Sequence, residues 1–101
     1  MVKVGLLLRL EAKPGKEADV ADFLTKALPL ILAEADTTAW FGLQVGPSTF
    51  GIFDAFPHEA GRDAHITGKV ADLLRATWTD MLSCPPIIEK ASILAAKLPE
   101  S

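Results

Sequence analysis

The sequence predicts an α+β domain whose elements run strand, helix, strand, strand, helix, strand. Three observations carry that expectation. Residues 2–11 alternate at strand period. Two later segments carry apolar stripes at spacings of three and four. A short turn, Gly46-Pro47-Ser48, joins two strand-like runs into a hairpin. Two helices on one face of a four-stranded antiparallel sheet is the ferredoxin-like βαββαβ solution for that order.

The first strand is expected over residues 2–11. Val2, Val4, Leu6, Leu8 and Leu10 share one face, against Lys3, Gly5, Leu7, Arg9 and Glu11 on the other. Lys13-Pro14-Gly15 breaks it and opens a helix along which Val20, Phe23, Leu24, Ala27 and Ile31 form one stripe. Pro29 removes a backbone donor and crowds the carbonyl four residues back. It either kinks this helix or ends it near Leu28, with a short turn restarting beyond. Thr37 to Val45 reads as the second strand and Thr49 to Phe56 as the third.

Pro57 suits the first turn of a second helix, where a missing N–H costs little. Gly68 interrupts that helix, and Val70, Leu73, Leu74, Thr77, Trp78 and Met81 then restore the stripe until Cys84-Pro85-Pro86. Ile87 to Leu98 is read as the last strand, ending at Pro99. Strands two and three are apolar on both faces: Trp40 opposes Phe41, and Phe50 and Ile52 oppose Gly51 and Phe53. Helices cover one face of such a sheet, so something must cover the other. A second copy of the chain is the simplest candidate, and two such sheets packed together make a dimeric α+β barrel.

Composition narrows the possibilities. The 101 residues form one domain, residues 1–101, and 50% of them are hydrophobic, which for so small a body points to self-association. With a net charge of −3 and basic residues spread among acidic ones, a nucleic-acid partner is not expected. No apolar run approaches the roughly 20 residues of a membrane span. The N-terminus, interrupted by Arg9, reads as a strand rather than a signal peptide. A lone cysteine, Cys84, forms no intrachain disulfide and fits a reducing, cytoplasmic setting.

The segment Phe53-Asp54-Ala55-Phe56-Pro57-His58-Glu59-Ala60-Gly61-Arg62-Asp63-Ala64-His65 is the most informative part of the chain. An acidic residue and an aromatic two positions on precede a helix carrying Ala-His. This resembles the strand-to-helix signature of the antibiotic biosynthesis monooxygenase-like family. Leu8-Arg9-Leu10-Glu11-Ala12-Lys13-Pro14-Gly15-Lys16-Glu17 and Thr37-Thr38-Ala39-Trp40-Phe41 extend the resemblance along essentially the whole chain.

The resemblance implies a homodimer that binds a hydrophobic, often aromatic ligand between sheet and helices. It also implies oxygenation of a small hydroxylated aromatic or quinol by molecular oxygen with no bound cofactor. The chain departs from the family at several points. It has no Asn and no Tyr, carries Phe56 where relatives often have Trp, and Asp54 where they usually have Glu. Leu73-Leu74-Arg75-Ala76 lacks the axial histidine of haem-cleaving relatives, so haem chemistry is not expected.

Among single residues, His65 is the leading candidate for a catalytic base, because an imidazole near its reference pKa of about 6.5 takes a proton from a phenolic hydroxyl at neutral pH. The bland alternative is a helix histidine hydrogen-bonded to a strand carboxylate or carbonyl, fixing how the helix docks. Asp54, in an apolar strand, either pairs with Arg62 or His65 or lies at the pocket mouth, since an unpaired carboxylate is costly to bury. It either forms a structural pair or orients the catalytic imidazole. Phe53, Phe56, Trp78 and Trp40 are expected in the ligand pocket or the core. Arg9 either binds a ligand oxygen or sits at a dimer rim.

His58 is read as solvated, and Cys84 has no neighbouring base to make it a nucleophile. A shared metal is not expected. Seven helical residues rise about 10.5 Å, too far for His58 and His65 to ligate one ion. The preferred reading is a cofactor-independent monooxygenase; the alternative is a non-catalytic homodimer that binds an apolar aromatic metabolite. Isomerase or lyase chemistry on the same scaffold is a third, again with His65 as base.

Overall fold

A computed structural model describes residues 1–99. Its elements are β1 (Val4–Glu11), α1 (Glu17–Leu32), β2 (Ala39–Gln44), β3 (Thr49–Phe56), α2 (Glu59–Ile66), α3 (Lys69–Met81) and β4 (Ile87–Ser92). The strands form one antiparallel sheet in the order β2-β3-β1-β4, as the βαββαβ reading requires. Among the described residues no helix is long and apolar enough to cross a membrane.

Register assigns each side chain to a face. Leu6 pairs with Asp54, Leu8 with Ile52 and Leu10 with Phe50, so the even-numbered residues of β1 and β3 point together toward the helices. They meet Val20 and Leu24 of α1 and Leu74 and Met81 of α3 in the main core. A smaller cluster of Ala27, Ile31 and Val70 joins α1 to α3. Burial of such side chains contributes roughly 1.5–3 kcal/mol each, which is what holds the two layers together.

The other face is uncovered. Leu7, Phe53 and Phe41 form one row across it. Ala39, Ala55, Gly5 and Ala91 form a flat row of small residues beside them. Phe41 is 52% exposed and Leu7 42%, and Leu43 and Ile87 are also exposed.

Several boundaries differ from expectation for physical reasons. α1 continues through Pro29, because buried Ala27 and Ile31 anchor the helix on either side of the lost hydrogen bond; it does not stop near Leu28. The second helix is split at Gly68, as expected, into α2 and α3. β4 ends at Ser92 rather than Leu98. Ser92 already pairs with Val4, the first residue of β1, and only the bond from Ile93 N to Lys3 O continues the ladder. A strand cannot outrun its partner.

Candidate functional site

The site is built where β3, α2 and the loop after α1 meet. Asp54 lies on the helix-facing side of β3 and is fully buried, at 0% exposure. α2 begins at the exposed His58, which is the helix cap and not a free surface residue: its Nδ1 accepts from Gly61 N at 3.2 Å. From that start, Gly61, Arg62 and His65 fall on the buried face. His65 therefore arrives in the last turn of α2, 7% exposed, directly over Asp54. The terminal carbonyls of a helix favour positive charge at such a position.

Both imidazole nitrogens face carboxylates. Nε2 lies 2.9 Å from Asp54 Oδ2, and Nδ1 lies 2.6 Å from Glu34 Oε1. The Glu34 contact is the better hydrogen bond. The Asp54 contact is close but poorly aligned, so neither Asp54 oxygen receives a good hydrogen bond. Thr37 Oγ1 donates to the same Glu34 oxygen at 2.6 Å. A carboxylate only accepts, so Nδ1 carries the hydrogen of its contact. Behind the ring stands Phe56, tilted, with ring centroids 5.5 Å apart.

Gly61 makes this assembly possible. A Cβ there would lie 3.0 Å from Asp36 Cβ and 3.2 Å from Asp36 O, so any larger residue would push back the loop that carries Glu34, and glycine lets α2 close on it.

The electrostatics follow from burial and pairing. Burial is the largest influence on Asp54 and pushes its pKa above the ordinary 3.8, while hydrogen bonding and attraction from His65 pull less strongly the other way. Burial also acts most strongly on His65, downward. Hydrogen bonds and charge attraction from Asp54 and Glu34 together reverse it, leaving the imidazole above its ordinary 6.5. Protons are thus held tightly by the group as a unit.

Two cavities meet at His65. One, of about 170 Å³, lies between the sheet and α3 and is lined by Leu6, Leu8, Ile52, Leu74, Trp78 and Ile88 among others. The second, of about 340 Å³ and more open, lies between the 33–37 loop, α2 and the start of α3, and includes Glu34, Thr37 and Lys69.

The structure gathers only some of the sequence candidates. His65 and Trp78 line the apolar cavity, and Asp54 touches the imidazole from beneath. Phe56 is fully buried and backs the ring without lining the cavity. Trp40 packs on the helix-facing side against both core clusters, its Nε1 buried without a partner. Phe53 and Arg9 belong elsewhere: they occupy odd positions of β3 and β1 and therefore point to the uncovered face, away from the helices. Arg62 does not pair with Asp54. It is buried, its Nη1 donates to Gly5 O and Ala91 O, and its Nη2 lies 3.5 Å from Glu59. Cys84 is exposed.

Glu34 was not among the sequence candidates, because its partner lies 31 residues away. One signal was legible. Glu34 stands just past the end of α1, which has no basic residue in its last turn, and a carboxylate is disfavoured beside the carbonyl end of a helix. An acid kept there needs another reason.

Comparison with solved structures places this geometry in context. A protein of unknown function from Nitrosomonas europaea is 62% identical, with 98% of this chain and 96% of that one covered and a TM-score of 0.96. The chain belongs to that protein's family. A "putative antibiotic biosynthesis monooxygenase" from the same organism superposes with a TM-score of 0.81 at 16% identity, covering 91% of this chain and 90% of that one. Another so named, from Caulobacter crescentus, gives 0.79 at 12% identity, covering 93% and 92%. At such identities the likeness is one of fold. The fold is that of the antibiotic biosynthesis monooxygenase-like proteins, as the strand-to-helix signature implied. No family model matches the chain, and no curated protein does.

Proposed function

We propose that the protein is a cofactor-independent monooxygenase acting on a small hydroxylated aromatic or quinol held in the apolar cavity. One observation carries this reading: a buried imidazole, backed by a buried carboxylate, forms part of the wall of a cavity between sheet and helices that is apolar apart from His65 and Arg75. The cavity suits a single aromatic ring, with Trp78 as a wall and its indole N–H available as a neutral donor.

Removing the hydroxyl proton converts the ring into an electron-rich phenolate that reacts with oxygen directly. One oxygen atom replaces a ring hydrogen, the other leaves as water with that hydrogen and the hydroxyl's, and a hydroxyarene becomes a quinone. In its neutral form, which its raised pKa shifts to more alkaline pH, His65 takes the proton, and Asp54 fixes the ring's orientation. The apolar walls exclude water from the phenolate.

The uncovered face of the sheet supports a homodimer. Leu7, Phe41, Leu43 and Ile87 leave apolar side chains open to solvent on one face, and a second copy presents a matching face that would cover them.

A second reading is a non-catalytic dimer that sequesters an apolar aromatic metabolite. It is favoured by both imidazole nitrogens being engaged by carboxylates, which makes His65 a clamp between β3, α2 and the 33–37 loop. Oxygen uptake with a panel of reduced quinols separates the two. The oxygenase reading expects uptake above buffer autoxidation that falls by about a hundredfold or more in His65→Ala. Uptake no faster than autoxidation across the whole panel overturns it and leaves the binding module.

A further inference from the structure

Among the described residues His65 alone lines both cavities, so the imidazole is the partition between them. Its two nitrogens look into different environments. Nε2 faces Asp54, which solvent does not reach, whereas Nδ1 faces Glu34, whose side chain is 22% exposed and lines the open pocket. Glu34 Oε1 is fixed by two donors, His65 Nδ1 and Thr37 Oγ1, so its position does not depend on a mobile surface rotamer.

We infer that Glu34 is the outer end of a proton path that runs from a hydroxyl in the apolar cavity, through the Asp54–His65 pair, into the open pocket. The path presupposes the base role proposed above for His65. On the outward leg the ligand O–H bond breaks and its proton joins the Nε2–Asp54 pair. The Nδ1 proton moves to Glu34 and from there to water.

The return leg follows oxygenation. Molecular oxygen is the oxidant, and its outer atom is reduced to water. The O–O bond and one ring C–H bond break, that atom takes the ring hydrogen together with the Nε2 proton, and Nδ1 is refilled from solvent through Glu34. One proton leaves and one comes back, so the arene, oxygen, quinone and water balance with no other reactant. An imidazole is the side chain suited to this work, since it accepts at one nitrogen while releasing at the other. Without Glu34 the Nδ1 proton has no acceptor held in place by the protein on the open-pocket side. Glu34 acts through His65 and touches no reacting atom, which makes it a positioning and relay residue.

The test uses p-nitrophenol, whose phenolate is coloured, mixed rapidly with the full chain in weak buffer containing a pH indicator. The parent binds the probe as phenolate and releases a proton to solvent in the same phase. Glu34→Gln keeps the size and the hydrogen-bonding oxygen. It is expected to bind the probe with unchanged affinity but to slow proton release on the order of a hundredfold. Added free imidazole, entering the open pocket, restores the rate, and Glu34→Asp restores it in part. Asp36→Asn, altering a carboxylate that lines the same pocket without touching the ring, leaves it unchanged.

Proton release at the parental rate in Glu34→Gln overturns the path. A probe that stays neutral when bound to the parent overturns the path and the base role of His65 together. Phenolate formation with slowed release in Glu34→Gln, but no oxygen uptake with any quinol, upholds the path and removes only the oxygenase reading.

Discussion

The two faces of the sheet are made from the same strands and are nearly equally apolar, yet they do different chemistry. On the helix side, Leu8, Leu10, Phe50 and Ile52 are dry, and the one carboxylate among them, Asp54, is fully buried with its pKa raised. On the outer side, Leu7, Phe41 and Phe53 make a comparable apolar row, but Arg9 and Glu89 beside them remain exposed. What makes an ionisable group chemically unusual here is the second layer over it. Hydrophobic neighbours in its own strand do not suffice, because water still reaches a single uncovered face.

The largest effect is expected on the covered side. Asp54→Ala leaves His65 beneath the helices without its inner partner. It should cost about 3–5 kcal/mol in urea unfolding, as for other broken buried pairs. Replacing Asp54 and His65 together with leucine should recover most of that loss, since no charge is then left stranded. A double variant as unstable as Asp54→Ala would show that shape, and not charge, sets the cost.

On the uncovered side, Phe41→Asp places a charge in the apolar row of the proposed dimer face, on the edge strand β2. Sedimentation equilibrium is expected to show self-association weakened by about a hundredfold or more, with little change in the monomer's own fold. A parent that sediments as a monomer at micromolar concentration would remove the dimer altogether.

The pH dependence of stability sharpens the same contrast. Both Asp54 and His65 are raised in the folded chain. A raised group stabilises fully below its unfolded pKa, and that contribution is lost as pH climbs through the folded value. For Asp54 the loss begins near 3.8 and for His65 near 6.5. The urea midpoint should therefore fall as pH rises on the alkaline side of 6.5, and the slope should vanish in the double leucine variant. A midpoint that rises over that range would contradict the raised imidazole.

The smallest expected effect belongs to Arg9→Ala. Its side chain leaves the sheet on the outer face, so quinol oxidation and probe binding should be unchanged. A loss of either would place Arg9 in the site after all.

Period two in residues 2–11, the hairpin turn and the two helical stripes determined the βαββαβ order, because alternation and stripe spacing are local properties of backbone geometry. The break at Gly68 was legible for the same reason. So was the prominence of Asp54 and His65, since a carboxylate in an apolar strand and a histidine on a helix both need explaining. Only the tertiary structure decided that the partner of Asp54 is His65 and not Arg62, that the helices cover the face of Phe56 and not that of Phe53, and that Glu34 closes the cluster. Those outcomes depend on register and on the close approach of α2 to the 33–37 loop at Gly61. Spacing along the chain carries no information about contacts between residues 31 apart that meet only when separate elements dock.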